Sequence, residues 1–259
     1  MTKLLLACAT ALIATTPAAA QDSGDDLRVR VGLGGQLKPK FPGSDDHSVQ
    51  PLIDFDLARG TNQFAFESPD DAFAIRLISK DGFAFGPAAN LQGKRKESDV
   101  GAPVGNVKRT IEIGGFAEYL PSETIRLRAD LRKGINGHEG VVGSVGADRI
   151  WRDGDKYVFS VGPRVLFSDA KFQRAYFGID PAHALASGLP AYRPDGGIYA
   201  LAASSGLSYQ FNPRFGAFGY ARYERLVGDA AKSPIVRELG SRNQISGGVG
   251  LSYTFNVKR

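Results

Sequence analysis

The 259-residue sequence holds one cysteine, one methionine, one tryptophan and three histidines. A single thiol, Cys8, excludes a disulfide framework and any cysteine-based zinc or iron–sulfur site. There is no apolar run of about 18 residues, which excludes a helical membrane span but not a membrane protein of another kind. Neither sign of charge dominates, with 32 Lys+Arg against 27 Asp+Glu. Glycine is plentiful at 32, beside 16 Phe and 9 Tyr, and the charged and aromatic content is too high for a disordered chain.

Residues 1–20 read as a cleavable signal peptide, with Lys3 as the positive start, Leu4 to Thr15 as the apolar stretch and Ala18-Ala19-Ala20 as the small-residue cleavage site. Leu5-Leu6-Ala7-Cys8 imitates a lipoprotein box, but the apolar segment before Cys8 is too short for one. Cleavage removes Cys8 and leaves a thiol-free chain suited to an oxidising compartment. Residues 21–259 then form a single domain.

That domain alternates with period 2. In 124–132, Ile125, Leu127, Ala129 and Leu131 share one face while Arg126, Arg128, Asp130 and Arg132 share the other. The end of the chain repeats the pattern, with Leu251, Tyr253 and Phe255 opposed by small polar residues. Twelve strands are expected, near 27–37, 48–58, 61–67, 72–79, 82–93, 106–120, 123–134, 138–151, 155–168, 195–211, 214–227 and 242–255. Ten remain if 61–79 is one kinked excursion. Every second connection is tight, and the intervening ones are mostly long. An outer-membrane barrel has that asymmetry, with short periplasmic turns and longer extracellular loops. Phe55, Phe64, Phe83, Tyr119, Trp151, Tyr157, Tyr209, Phe211, Phe215, Tyr253 and Phe255 fall near the short turns, as expected of a ring at a membrane–water boundary.

The expected fold is therefore all-β, a closed antiparallel transmembrane β-barrel whose first and last strands pair, because lipid tolerates a sheet only without an edge. Its apolar faces meet lipid, and Glu112, Glu118, Arg126, Arg128, Asp130, Arg132 and Arg164 point into the lumen. Opposite charges can meet there across the hairpin, so the lumen is expected to be plugged or very narrow.

The long loops carry the most specific sequence. Asp180-Pro181 through Gly188 and Ser233-Pro234 through Gly240 each read as a short capped helix. Tyr176-Phe177-Gly178-Ile179, Ser187-Gly188 with Tyr192, and Gly228-Asp229 followed by Ser233-Pro234 resemble the MipA/OmpV family of outer-membrane proteins. Phe41-Pro42-Gly43-Ser44-Asp45-Asp46 fits its first loop, Ile179 stands where the family often has Val, and Lys232 where it often has an acid. The resemblance implies an outer-membrane barrel. Some members are scaffolds joining a lytic transglycosylase (a murein hydrolase) to a peptidoglycan synthase, and others are linked to adhesion, osmotic response or antibiotic uptake. The expected role is a scaffold tied to peptidoglycan remodelling, the alternative a narrow channel or an uptake/adhesion barrel gated by 169–194. The expected partners are outer-membrane lipid, lipopolysaccharide and the barrel-assembly machinery.

The family brings no catalytic residues, and no enzyme, cofactor or metal is expected. His138 beside Glu139 and His183 near Ser187 are the only candidates for a Ser–His arrangement, and solvated loop histidines are the expected alternative. Asp45-Asp46 and Asp70-Asp71 lack the spaced ligands of a calcium loop. The pI of 9.3 comes without a basic helix or a stacking platform, so no nucleic acid is expected. Lipopolysaccharide phosphates or cell-wall carboxylates suit the basic residues better.

Overall fold

The computed structural model describes residues 26–258, so the expected signal peptide and Cys8 lie outside the described residues. In chain order the elements are β1 (Leu27–Pro39), β2 (His47–Arg59), β3 (Phe73–Ala74), β4 (Ile78–Lys80), β5 (Phe83–Gln92), α1 (Glu97–Val100), β6 (Thr110–Ser122), β7 (Ile125–Gly134) and β8 (Val141–Asp153). They continue with β9 (Tyr157–Ser168), α2 (Ala170–Phe177), α3 (Pro181–Ser187), β10 (Gly197–Gln210), β11 (Phe215–Leu226), α4 (Gly228–Lys232), α5 (Pro234–Glu238) and β12 (Asn243–Val257).

Twelve antiparallel strands make one curled sheet, running from β2 through β1 and β12 back down the chain to β5 and its short partners β3 and β4. The first and last long strands pair, with Val31 opposite Tyr253 and Leu33 opposite Leu251. Ten strands are long. β3 and β4 form one interrupted strand against β5, bridged by Ile75 N–H donating to Pro87 O and Leu77 N–H to Phe85 O.

One expectation is corrected: the segment 61–67 forms no wall strand. Among the described residues no ladder joins β2 to β3, β4 or β5. The sheet curls without a continuous ring of hydrogen bonds. The cause lies in 61–72, where Phe64, Phe66, Asp70 and Asp71 find arginines on the concave side and draw this stretch off the wall.

Alternation settles the facing elsewhere. Leu33, Leu127, Val161, Leu207 and Leu251 are exposed on the convex face, while Glu112, Arg126, Asp148 and Arg164 are buried on the concave one. On β11, whose facing the sequence leaves open, Phe218, Tyr220 and Arg222 point inward. Phe218 fits because Gly32 and Gly250 oppose it; a Cβ on either would lie 2.6 Å from its ring. The tight turns share one end, where Phe83 stacks on Tyr119 at 4.1 Å and Phe215 meets Tyr253 at 5.0 Å between ring centroids. Phe64 does not belong to that ring. It is buried, with the Arg28 and Arg30 guanidiniums 4.8 and 4.6 Å from its ring centre.

Candidate functional site

The site is the concave interior, built from three parts: a segment threaded through it, a cavity above that segment and a roof of loops. After Gly60 the chain climbs inside rather than along the wall. Phe64 N–H donates to Asp155 Oδ1 at 3.0 Å, and Arg152 Nη2 donates to Phe64 O at 3.1 Å. Arg126 lies 4.7 Å from the Phe66 ring centre. Higher up, Pro69 passes so close to β10 that a Cβ on Gly206 would sit 2.7 Å from its Cδ. Glycine there makes room for the threaded segment.

Asp70 and Asp71 pin this segment to three strands. Asp70 accepts from Arg164 Nη2 at 3.2 Å and from Arg222 Nη1 at 3.0 Å, and Asp71 accepts from Arg126 Nη1 at 2.6 Å. Arg126 has no solvent-exposed surface; it also donates Nε and Nη2 to Asp148 Oδ2 at 2.9 and 2.6 Å. The other Asp148 oxygen takes Arg164 Nη2 at 2.7 Å. Arg222 reaches Glu224 at 2.6 Å, and Glu118 holds Arg76 at 2.6 Å and Arg128 at 3.4 Å. Arg132 meets Glu112 at 3.1 Å and pairs with Asp130. Charges taken out of water remain tolerable only when paired and hydrogen-bonded in this way. The network cross-links the strands across the interior.

Above Asp70 a cavity of about 390 Å³ opens, lined by Lys38, Asn90, Glu112, Arg132, Tyr199 and Glu224 among others. Phe41 and Phe172 line it from the roof and Pro69 to Ala72 from below. The roof is a hydrophobic cluster assembled from every long loop, containing Phe41, Val104, Phe172, Tyr176, Phe177 and Ile235. Tyr176 Oη donates to Gly93 O at 2.7 Å, Ser233 Oγ to Phe177 O at 2.7 Å and Tyr192 Oη to Asp229 O at 2.8 Å. Arg95 ties the loops together through Nη1 to Tyr176 O at 2.7 Å and Nη2 to Val104 O at 2.9 Å. Burial, only partly offset by Glu97, pushes its guanidinium down to about 10, still charged at neutral pH.

The loop residues singled out from the sequence thus meet in one place. Tyr176, Phe177, Pro234 and Ser233 are buried in the roof, and Gly178 closes α2. Gly188 ends α3 in the left-handed region at φ 73°, after Asp180 caps its start by accepting from His183 N–H. Gly228 opens α4 at φ 56°. α1, α2 and α4 carry no start signal that the sequence reading used.

Of the histidines, His47 contacts Ile245 O at 3.0 Å. His138 is no solvated loop residue but is buried, with Nε2 3.1 Å from Glu112 and Nδ1 accepting from Gly140 N–H. The His183 ring meets Asp180 at 2.7 Å, while Ser187 Oγ donates to the His183 carbonyl, not to its ring. Neither candidate forms a nucleophile–base pair. Among the described residues no group of three or more potential ligands could hold a metal, and Asp70 and Asp71 are spent on arginines. The residues missed in the sequence are Phe66, Asp148 and Arg222, while Phe64 was expected in the aromatic ring instead. The adjacent acids Asp70-Asp71 beside Pro69, in the stretch with the weakest alternation, were the available signal.

A family model described as "MltA-interacting protein MipA" matches residues 31–255. The chain belongs to the MipA family. With its apolar convex wall, this family member is an outer-membrane β-barrel protein. Comparison with curated proteins gives no match. Among solved structures, it is similar to an outer-membrane channel from Pseudomonas putida F1 at 10% identity and TM-score 0.44, covering 92% of this chain and 100% of that one. A bacterial polysaccharide outer-membrane secretin gives 10% and 0.42, with 92% and 100% covered. The translocator domain of the autotransporter NalP from Neisseria meningitidis gives 16% and 0.40, with 91% and 90% covered. Likeness at this level carries no functional information.

Proposed function

We propose that this MipA-family barrel is a non-conducting structural protein of the outer membrane whose periplasmic rim engages a peptidoglycan-remodelling enzyme. The observation that carries the first half is the threaded segment 61–72, anchored by Asp70 and Asp71 to Arg126, Arg164 and Arg222 on three different strands. A conducting pore needs a continuous wet path, and here the path is crossed by paired charges and roofed by packed loops. The second half rests on the family description, which names an interaction with MltA. A murein hydrolase is accordingly the first partner to test, with a peptidoglycan synthase as a third component. The tight turns limit the docking surface to the rim itself, where Arg59, Lys80, Lys156 and Arg214 stand near the short connections.

Two measurements test this reading. Purified protein in planar bilayers is expected to show no stable current steps. Affinity capture from detergent-solubilised envelopes is expected to recover a murein hydrolase, and charge reversal at Lys156 and Arg214 to reduce its recovery. Steady conductance of the unaltered protein refutes the plugged reading; absence of any murein hydrolase refutes the scaffold. The cavity favours a second reading, a narrow uptake route gated by 169–194. It requires current steps that change when that loop is deleted.

A further inference from the structure

We propose that the barrel wall has a lateral window in its extracellular half, between β2 and β5, and that a phosphorylated, acylated lipid of the outer leaflet binds there. This goes beyond the structural role proposed above and does not depend on it.

The window follows from the detour of 61–72. Because this stretch climbs inside, the chain rejoins the wall only at Phe73, opposite Ala89. Above that level, among the described residues, the edge of β5 from Asn90 to Gln92 has β6 on one side and no strand on the other. Among the same residues β2 pairs with β1 alone along its whole length. In the lower half the threaded segment backs this gap, with Phe64, Phe66 and Glu67 beside Asp54 and Asp56 of β2. In the upper half the cavity backs it. That cavity reaches Ile53 on one flank and Leu91 on the other, although these side chains lie on the convex face and are 73% and 58% exposed. With neither strand edge paired at this height, the cavity opens toward the acyl layer between Ile53 and Leu91. Its upper margin is the close approach of Lys40 to Gly93, where an added Cβ would lie 3.4 Å from the Lys40 carbonyl.

Two features select the occupant. The opening is amphipathic, since Val49, Ile53 and Leu91 face the acyl layer while Asn90, Gln50 and Lys38 face the cavity. An apolar chain lying along the outer residues covers the gap. Ester or amide carbonyls at the head of that chain, together with cavity water, can meet the free backbone edge that hydrocarbon alone would leave unpaired. The rim is also basic. Lys94 and Lys96 follow β5, Lys108 and Arg109 precede β6, and Lys38 ends on the cavity side of β1; all are exposed. None of these five forms an ion pair among the described residues, whereas Lys40 is taken by Asp46 at 2.7 Å. Unpaired cations beside an apolar slot match a phosphate linked to an acyl chain.

The test is native mass spectrometry of the folded full chain, titrated with a phosphorylated acyl glycolipid and with the same lipid after phosphatase treatment. One phosphorylated lipid per chain is expected, with at least tenfold weaker binding of the dephosphorylated form. The triple variant Lys94→Gln, Lys96→Gln, Lys108→Gln is expected to lose at least tenfold in affinity for the phosphorylated lipid only. Leu91→Trp, which narrows the slot, is expected to weaken both forms. Absence of a one-to-one adduct, equal affinity for the two lipids, or unchanged binding by the triple variant overturns the proposal. If Leu91→Trp fails to fold, the glutamine substitutions, all at exposed positions, still decide. Bilayer currents and hydrolase capture are expected to be the same for the triple variant and the parent, so this proposal and the structural role can fail separately.

Discussion

Replacing Asp70 and Asp71 together by asparagine is the sharpest probe of the threaded segment. The two carboxylates accept three guanidinium hydrogen bonds, at 3.2, 3.0 and 2.6 Å. A hydrogen bond to a charged group contributes about 1.5–3 kcal/mol net, so simple addition over three gives about 4.5–9 kcal/mol. The true loss is smaller for two reasons. An asparagine oxygen still accepts one bond, and the freed arginines keep carboxylate partners, Asp148 for Arg126 and Arg164 and Glu224 for Arg222. Sites that share partners do not add, and a loss of about 3–4 kcal/mol is the reasoned value. At 1.4 kcal/mol per tenfold, the population with the segment released rises roughly a hundred- to a thousandfold. The assay is single-channel recording of parent and variant side by side, with emission of the single tryptophan, Trp151, confirming that the wall is folded. Brief, flickering current steps are expected in the variant and silence in the parent. If the variant is as silent as the parent and unfolds at the same denaturant concentration, the aspartates do not anchor the segment.

Arg126→Met leaves Asp71 and Asp148 buried without their main partner and is expected to lower unfolding stability by about 3–5 kcal/mol, read from guanidinium titration; a change below about 1 kcal/mol speaks against the network. Gly206→Val places side-chain atoms where Pro69 runs, so it is expected to dislodge the segment and produce current without altering any charge. Tyr176→Phe removes the hydroxyl bond to Gly93 and is expected to cost about 1 kcal/mol, seen as faster proteolysis within 169–194. The backbone N–H of His183 holds the Asp180 carboxyl below its usual range, as that of Asp195 does for Asp229. Depressed carboxyl values stabilise the folded roof above the ordinary aspartate value of about 3.9, and that contribution is lost as pH falls through the folded values. Pepsin is therefore expected to cut the roof loops faster at pH 2 than at pH 4, beyond its own rate change on an unfolded control.

Much of the wall was legible because period-2 alternation is a local property. Arg126, Arg128, Asp130 and Arg132 stand opposite Ile125, Leu127 and Leu131 in any strand, and a strand in lipid has only one choice of which face turns outward. The tight turns were local too, as was the cap that starts α3 at Asp180. The cap of α2 at Asp169 is equally local, but an Asp before a mixed segment is a weak signal without the packing of Phe172 and Phe177 behind it.

The path of 61–72 could not be read locally. Its apolar residues, Phe64 and Phe66, alternate as a wall strand would, and only the adjacent acids Asp70-Asp71 beside Pro69 point the other way. What decides against it is a set of guanidiniums contributed by β7, β9 and β11, far along the chain, which exist as one site only once the sheet has curled. The same holds for Arg222, whose facing follows from its neighbours across β10 and β12, and for the roof, where four loops share a single apolar cluster. Sequence alone determined that this is an amphipathic all-β wall with one smooth end and one elaborated end. Tertiary structure decided what fills it, because long-range pairing of buried charges outweighed the local preference of one segment to join the sheet.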